Sequence, residues 1–158
     1  MPGPLAGFKV VDFSAVISGP LAGMILADQG ADVIKVEAPG FGDLLRGEWY
    51  RRGGLTSLFA NVNRGKRSIV LDLKDERGLA VAHALVREAD IVIENQRDFS
   101  PFSSHANTTI VHSKQLQFGI NNCHFEISAC RPDFSQVSSE LIVCALYGAR
   151  DRTRLAFM

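Results

Sequence analysis

The sequence predicts an α/β fold, a mostly parallel sheet with flanking helices. Two observations predict it. Over residues 1–95, short β-branched runs alternate with helical periodicity in the order β-α-β-loop-β-α-β, which implies parallel strands joined by right-handed crossovers. The helical stretches also carry their own start and stop signals.

The elements follow in order. Phe8 to Phe13 (FKVVDF) is β-branched and aromatic, approached through Pro4 and Gly7, and reads as the first strand. Ser18, Gly19 and Pro20 read as a helix start, with Ser18 or Gly19 as cap and Pro20 at the first helical position. Leu21, Met24, Ile25 and Asp28 follow at helical spacing, the apolar three on one face, and Gly30 is a left-handed stop. Asp32 to Val36 is a second strand, and Ala38 to Gly54, rich in Gly and Arg, a long loop. Ile69 to Leu73 is a third strand. Asp75 and Glu76 open a helix whose apolar face is Leu79, Ala82, Leu85, Val86 and Ala89, and Ile91 to Ile93 is a fourth strand.

At 158 residues the chain is expected to form one domain, at most with an appendage. Lys plus Arg and Asp plus Glu are 17 each, which argues against a nucleic-acid binder driven by bulk charge and against a polybasic membrane-surface protein, while leaving room for a local basic patch. The longest apolar run, Leu141 to Tyr147, is far short of the roughly 20 residues of a membrane helix. No charged region followed by an apolar stretch opens the chain, so its three Cys are expected to be reduced thiols in a cytoplasmic protein. Character changes near Asn95 to Ser100. Residues 1–95 hold 11 Lys/Arg, 12 Asp/Glu and 12 of the 14 Gly, whereas 96–158 hold all three Cys and three of the four His. The Cys spacings match no zinc frame. We therefore read 1–95 as an α/β region and 96–158 as a divergent or disrupted one.

In parallel sheets ligands bind beyond the carboxyl ends of the strands. Three features are expected at those ends. The turn Ser14 to Pro20 leads into a helix N-terminus, Glu37 ends the second strand, and Arg64, Lys66 and Arg67 precede the third strand, with Lys74 after it. Separately these read as capping and a solvated loop; together they suggest a phosphorylated ligand. NAD or FAD is not expected: only Gly19 and Gly23 stand where G-x-G-x-x-G is needed, with Pro20 between them. Asp12 and Asp72 lie in strand text, where hydrogen bonding at a strand end is the expected role.

The text GFKVVDFSAVISGPLAGMILADQGADVIKVEAPGFGD, then NRGKRSIVLDLKDERG, then ADIVIEN, resembles the N-terminal part of the class III CoA-transferases, the group that includes formyl-CoA transferase, carnitine CoA-transferase and alpha-methylacyl-CoA racemase. The resemblance covers about residues 4–95. It implies a Rossmann-like core, incomplete here relative to the family, interlaced dimers, and CoA or acyl-CoA as substrate along the carboxyl edge of the sheet, with no metal or redox cofactor. It implies an aspartate that attacks the thioester, giving an acyl-enzyme anhydride and later an aspartyl-CoA thioester; the racemase branch exchanges an alpha proton instead. By matching position, Val16 and the turn Ser18, Gly19, Pro20 line the CoA pocket. Lys35 and Glu37 flank it, Arg46 follows in the glycine-rich loop, Leu71 and Lys74 hold the adenine-nucleotide end, and Asn95 lies at the pantetheine side.

The sequence also departs from the family. Ala38 stands where many relatives carry arginine. Ala15 and Ile17 replace the histidine and glutamine of formyl-CoA transferase, which argues against formyl/oxalyl specificity. After Asn95 the family text fails at Gln96-Arg97. An R-P-G-Y-D segment would carry the nucleophile; the nearest text is Arg131-Pro132-Asp133-Phe134-Ser135, which leaves Asp133 two residues early. Alternation at Thr108 to His112 and Phe118 to Ile127 allows short strands, and Ser139 to Arg150 a helix. The expectation is a CoA-transferase piece without its nucleophile, using a CoA thioester and a carboxylic acid and associating as a homodimer or with a relative. The alternatives are a racemase-type isomerase, or a non-enzymatic module that pairs with a full-length relative.

Overall fold

A computed structural model describes residues 3–47, 51–95, 115–120 and 123–129. Strand β1 (Lys9–Asp12) leads into helix α1 (Ser18–Asp28) and strand β2 (Asp32–Glu37). A 3-10 turn (Leu44–Arg46), the short pair β3 (Arg51–Arg52) and β4 (Leu55–Thr56), and helix α2 (Ser57–Asn63) come next. Then follow β5 (Arg67–Val70), α3 (Glu76–Glu88), β6 (Ile91–Glu94), β7 (Gln115–Ile120) and β8 (Cys123–Ala129). The main sheet has the order β5-β2-β1-β6-β8-β7. Its first four strands are parallel. The β7–β8 ladder is antiparallel and joins the sheet through β8, antiparallel to β6. The parallel strands thus stand in the spatial order third, second, first, fourth, which is Rossmann-like, and the order reverses at the β1/β6 boundary, where β1 is followed by β2 on one side and β6 by β7 and β8 on the other. Among the described residues no helix is long and apolar enough to cross a membrane.

Local chemistry explains most boundaries. Helix α1 ends as its sequence dictates: Gly30 takes φ +97°, its N–H bonds Ala27 O at 2.9 Å, and Ala31 N–H bonds Leu26 O at 3.1 Å, the paired bonds of a Schellman stop. Its start differs from expectation. Ile17 occupies the cap position without a side-chain cap, and Ser18, Gly19 and Pro20 form the buried first turn. Proline is tolerated there because the first-turn N–H groups have no intrahelical partner anyway. Helix α3 is capped by the Asp75 carboxylate, which accepts from Arg77 N–H at 2.8 Å. Strand β5 starts two residues earlier than expected and stops three residues earlier, before Leu71. Asp72 ends it by accepting from Lys74 N–H at 2.9 Å, a local turn that competes with the ladder. The region from Ala38 to Gly54 is not wholly loop, since it holds the 3-10 turn and β3. Helix α2 has no counterpart in the periodicity reading; Thr56 caps it, accepting from Phe59 N–H at 3.1 Å. The alternating run 118–127 is split between β7 and β8. Thr108 to His112, Asp133 and the helix expected at Ser139 to Arg150 lie outside the described residues.

The period-two alternation of the strands divides the core into two layers. Val11, Phe13, Val36 and Val92 face α3, where Ala82 and Val86 meet them. Val10, Val33, Ile91 and Ile93 face α1, packed by Ala22 and Leu26. Leu21, which the periodicity puts on one face with Met24 and Ile25, packs on Leu45, Phe59 and Val62 near α2. Gly19 and Gly23 let α1 approach β1. A Cβ on Gly19 would lie 2.2 Å from Ser14 Cβ, and one on Gly23 would lie 3.0 Å from an Asp12 carboxylate oxygen. The G-x-x-x-G spacing therefore serves helix-on-strand packing.

Gly19→Ala should lower the unfolding free energy by about 2–3 kcal/mol through overpacking. Val81→Ala, on the exposed face of α3, should change it by less than about 0.5 kcal/mol. Urea titration of both variants checks the pair; equal values would show that α1 can move away from Ser14.

Candidate functional site

Beyond the carboxyl ends of the parallel strands lies a cleft of about 270 Å³. Phe13, Ala38, Pro39, Leu71, Lys74 and Glu94 are among the residues that line it. Leu71 also packs on the α3-side core, so it serves as both core and wall. Lys74 is exposed, and its ammonium forms no ion pair among the described residues. The lining is largely apolar and also holds the carboxylates of Glu37, Asp72 and Glu94; a flat apolar group that carries a phosphate would meet the apolar floor and the Lys74 ammonium.

Beside the cleft, under the N-terminal half of α1, the core turns ionic. Asp12 is fully buried; it accepts from Ser14 N–H at 2.9 Å and from the Ser14 hydroxyl, and pairs with Lys66 at 2.7 Å. Lys66 Nζ also donates to Pro20 O at 2.8 Å and Asn63 Oδ1 at 2.9 Å. Burial lowers the pKa of this ammonium, and the Asp12 carboxylate opposes that shift. Lys35, 2% exposed, pairs with Asp43 at 2.9 Å and donates to Ser14 O at 2.8 Å. Glu37 accepts from Arg46 twice, at 2.6 and 2.7 Å, from Ser68 Oγ at 2.5 Å and from Asp43 N–H at 3.1 Å. Burial works against its charge, but these donors outweigh it and hold the carboxyl at about 2. The Arg46 guanidinium lies 3.8 Å from the centroid of the Phe59 ring.

The residues proposed from sequence fall into three groups. Leu71 and Lys74 reach the cleft. Val16 lies in the β1–α1 loop at φ +70° with its side chain exposed, followed by the buried turn Ser18, Gly19, Pro20. Arg46 and Asn95 are turned toward protein: Arg46 grips Glu37, and Asn95 bonds Ala15 through both ends of its amide, at 2.9 and 2.8 Å. The basic loop is not the anion patch its composition suggested. Arg64 pairs with Asp28 at 2.6 Å, Arg67 pairs with Asp32 at 2.6 Å toward the opposite end of β2, and Lys66 is buried on Asp12. A loop entering a parallel strand approaches from its amino end, so these cations serve structure. Asp43, Asn63 and Ser68 were not anticipated as members of the ionic layer. Their local roles are ordinary, Asp43 capping the 3-10 turn by accepting from Leu45 N–H at 2.9 Å and Asn63 ending α2, while the fold brings up the Lys35, Lys66 and Glu37 side chains that draw them into the layer.

The fold is of the open α/β class, in which the crevice outside the carboxyl edge at a switch point is the place where ligands bind. Within that class the chain belongs to CoA-transferase family III, whose model matches residues 5–101. It is 48% identical over 99 residues to the succinate–glutarate CoA-transferase of Agrobacterium fabrum, covering 58% of this chain and 25% of that protein. It is 48% identical over 118 residues to the formyl-CoA:oxalate CoA-transferase of Escherichia coli O81, covering 73% of this chain and 28% of that one. Among solved structures it is similar to a CAIB/BAIF family protein from Brucella suis, at TM-score 0.57 and 44% identity, covering 61% of this chain and 26% of that one. The chain thus spans about a quarter of the length of these relatives.

Glu37 supplies a pH signature. Its folded pKa of about 2 lies below the ordinary 4.5, so its contribution is complete above pH 4.5 and is lost as pH falls toward 2. Glu37→Gln should lower stability at pH 7 by about 2–3 kcal/mol, and the gap to the parent should shrink below pH 4.5. Denaturation curves at stepped pH check this; a gap constant down to pH 3 would place the stabilisation elsewhere.

Proposed function

We propose that this chain supplies the CoA-binding part of a CoA-transferase that moves CoA between an acyl-CoA and a carboxylic acid. The observation that carries the proposal is the cleft at the carboxyl edge, with Leu71 as apolar wall and Lys74 as free cation. The purine would lie on the wall and a phosphate at the ammonium. Val16 and the turn Ser18, Gly19, Pro20 would border the rest of the cofactor path, with Arg46 holding the loop beside it and Asn95 at the pantetheine end. Ala38 lines the same cleft, so one cationic contact expected from the family pattern is absent at that position. The exchange of a thioester with a carboxylate asks for no metal or redox group. The setting in this reading is the cytoplasm, with pairing to a second copy or to a longer relative. The CoA-transferase names of the relatives support transfer over racemisation.

The carboxylate that would attack the thioester carbonyl, expelling the CoA thiolate and forming an anhydride, has no match at Asp133, which stands two residues early. On this reading the chain seats CoA but does not form the acyl-enzyme.

Two measurements test the reading. Titration calorimetry with CoA should show weak binding that falls roughly tenfold, about 1.4 kcal/mol, in Lys74→Ala; an unchanged mutant removes Lys74 from the site. Intact mass after incubation with acetyl-, succinyl- or formyl-CoA should show no adduct. A mass increase that disappears in Asp133→Asn would make Asp133 a working nucleophile.

A further inference from the structure

We infer that Asn95 is a positioning residue: it acts through the backbone of Ala15 and, with Asp12, Lys35 and Asp43, holds Ser14 to Val16 in one shape at the β1/β6 switch point. The role in binding rests on the reading of this edge as the CoA site; the clamp itself does not.

Five backbone groups of three consecutive residues are held by four side chains. Asp12 accepts from Ser14 N–H at 2.9 Å, and Lys35 donates to Ser14 O at 2.8 Å. Asn95 accepts from Ala15 N–H at 2.9 Å and donates to Ala15 O at 2.8 Å. Asp43 receives Val16 N–H at 3.4 Å. Both ends of the Asn95 amide are therefore spent on one backbone residue, 80 positions away in the chain. The product of this clamp is visible at Val16. Among the described residues it alone, apart from glycines, has positive φ, at 70°. A β-branched side chain disfavours that conformation, which persists only where its surroundings impose it. Side-chain packing does not impose it, because Val16 and Ile17 are 40% and 45% exposed. The polar clamp does. Gly19 allows the parts to close up: a Cβ there would meet Ser14 Cβ at 2.2 Å and Asn95 Cγ at 3.6 Å. The strained loop and the end of β6 are in this way made one unit, and a molecule lying across the switch point meets a backbone set by Asn95.

Hydrogen exchange, thermal unfolding and CoA titration of the full chain test the inference. In Asn95→Ala, exchange of the Ala15 amide should rise at least roughly tenfold while the Val11 amide in β1 stays protected. Val16→Gly should raise Tm by roughly 2–4 °C in the parent, where it relieves an imposed conformation, and should not raise it in Asn95→Ala, where nothing imposes one. If Asn95→Ala does not fold, Asn95→Asp, which removes the donor and keeps the acceptor, serves as the second background. Unchanged Ala15 exchange, or the same Tm change from Val16→Gly in both backgrounds, overturns the clamp. A CoA affinity that falls in Asn95→Ala with Ala15 exchange unchanged also overturns it, since Asn95 would then touch the ligand directly. If the parent binds no CoA, the functional reading fails, and exchange and Tm still decide the clamp.

Discussion

A carboxylate with no access to water sits at the end of the first strand, and much of the carboxyl half of the domain is arranged around it. Lys66 and Ser14 are the groups that reach it there. Lys66 in turn needs a path under α1, which requires Gly23, and an approach from the end of α2, which requires Asn63. A buried pair of this kind adds little net stability over an apolar substitute, but loss of one partner leaves the other stranded, at about 3–5 kcal/mol. The pair therefore acts as a condition on the fold: β1, α1, α2 and the entry to β5 must meet in one arrangement or the charge is left unpaired.

The layer between α1 and the sheet is graded along the strands. Toward the amino ends it is apolar, with Val10, Val33, Ile91 and Leu26. Toward the carboxyl ends the same faces carry Asp12, Lys35 and Glu37. The change falls within one strand length because residues two apart in a strand share a face: Val10 precedes Asp12, and Val33 precedes Lys35 and Glu37. Hydrophobic burial holds the helix to the sheet at one end, and fixed charge shapes the loops at the other. The layer against α3 has an apolar centre of Val11, Val36, Val92, Ala82 and Val86, and Phe13 and Leu71 continue it into the floor of the cleft. One face of the sheet thus sets loop geometry while the other provides an apolar surface.

The parallel core was legible in the sequence because β-branched runs, helical spacing and the Gly30 stop each report on local backbone preference. The four parallel strands and the two long helices stand in the order those signals give. Helix α2 was missed because seven residues, of which Phe59, Val62 and Asn63 are buried, are too short to show a period. The β5 boundary was misplaced because Arg67 and Ser68 are polar, and they join the strand through partners on β2 that only the fold supplies. For the same reason the three cations of the 64–67 loop suggested a ligand: a charge run looks the same whether it faces phosphate or its own acids. Leu71 and Lys74 stand in a motif and line the cleft, whereas the roles of Asp43 and Asn63 depend on tertiary contact.

The ammonium of Lys66 meets three acceptors, a carboxylate oxygen of β1, a carbonyl of α1 and an amide oxygen of α2. Its three N–H bonds spread as a tripod, one to each element, so the group works as a three-way joint as well as a positive charge. A guanidinium has the same charge but sets its donors in a flat fork. Arginine at this position would keep the electrostatics and lose the joint, because a planar donor array cannot address three elements that converge on one point from different directions. The property that position 66 supplies is therefore the symmetry of its donors, and substitutions there sort by shape before they sort by charge.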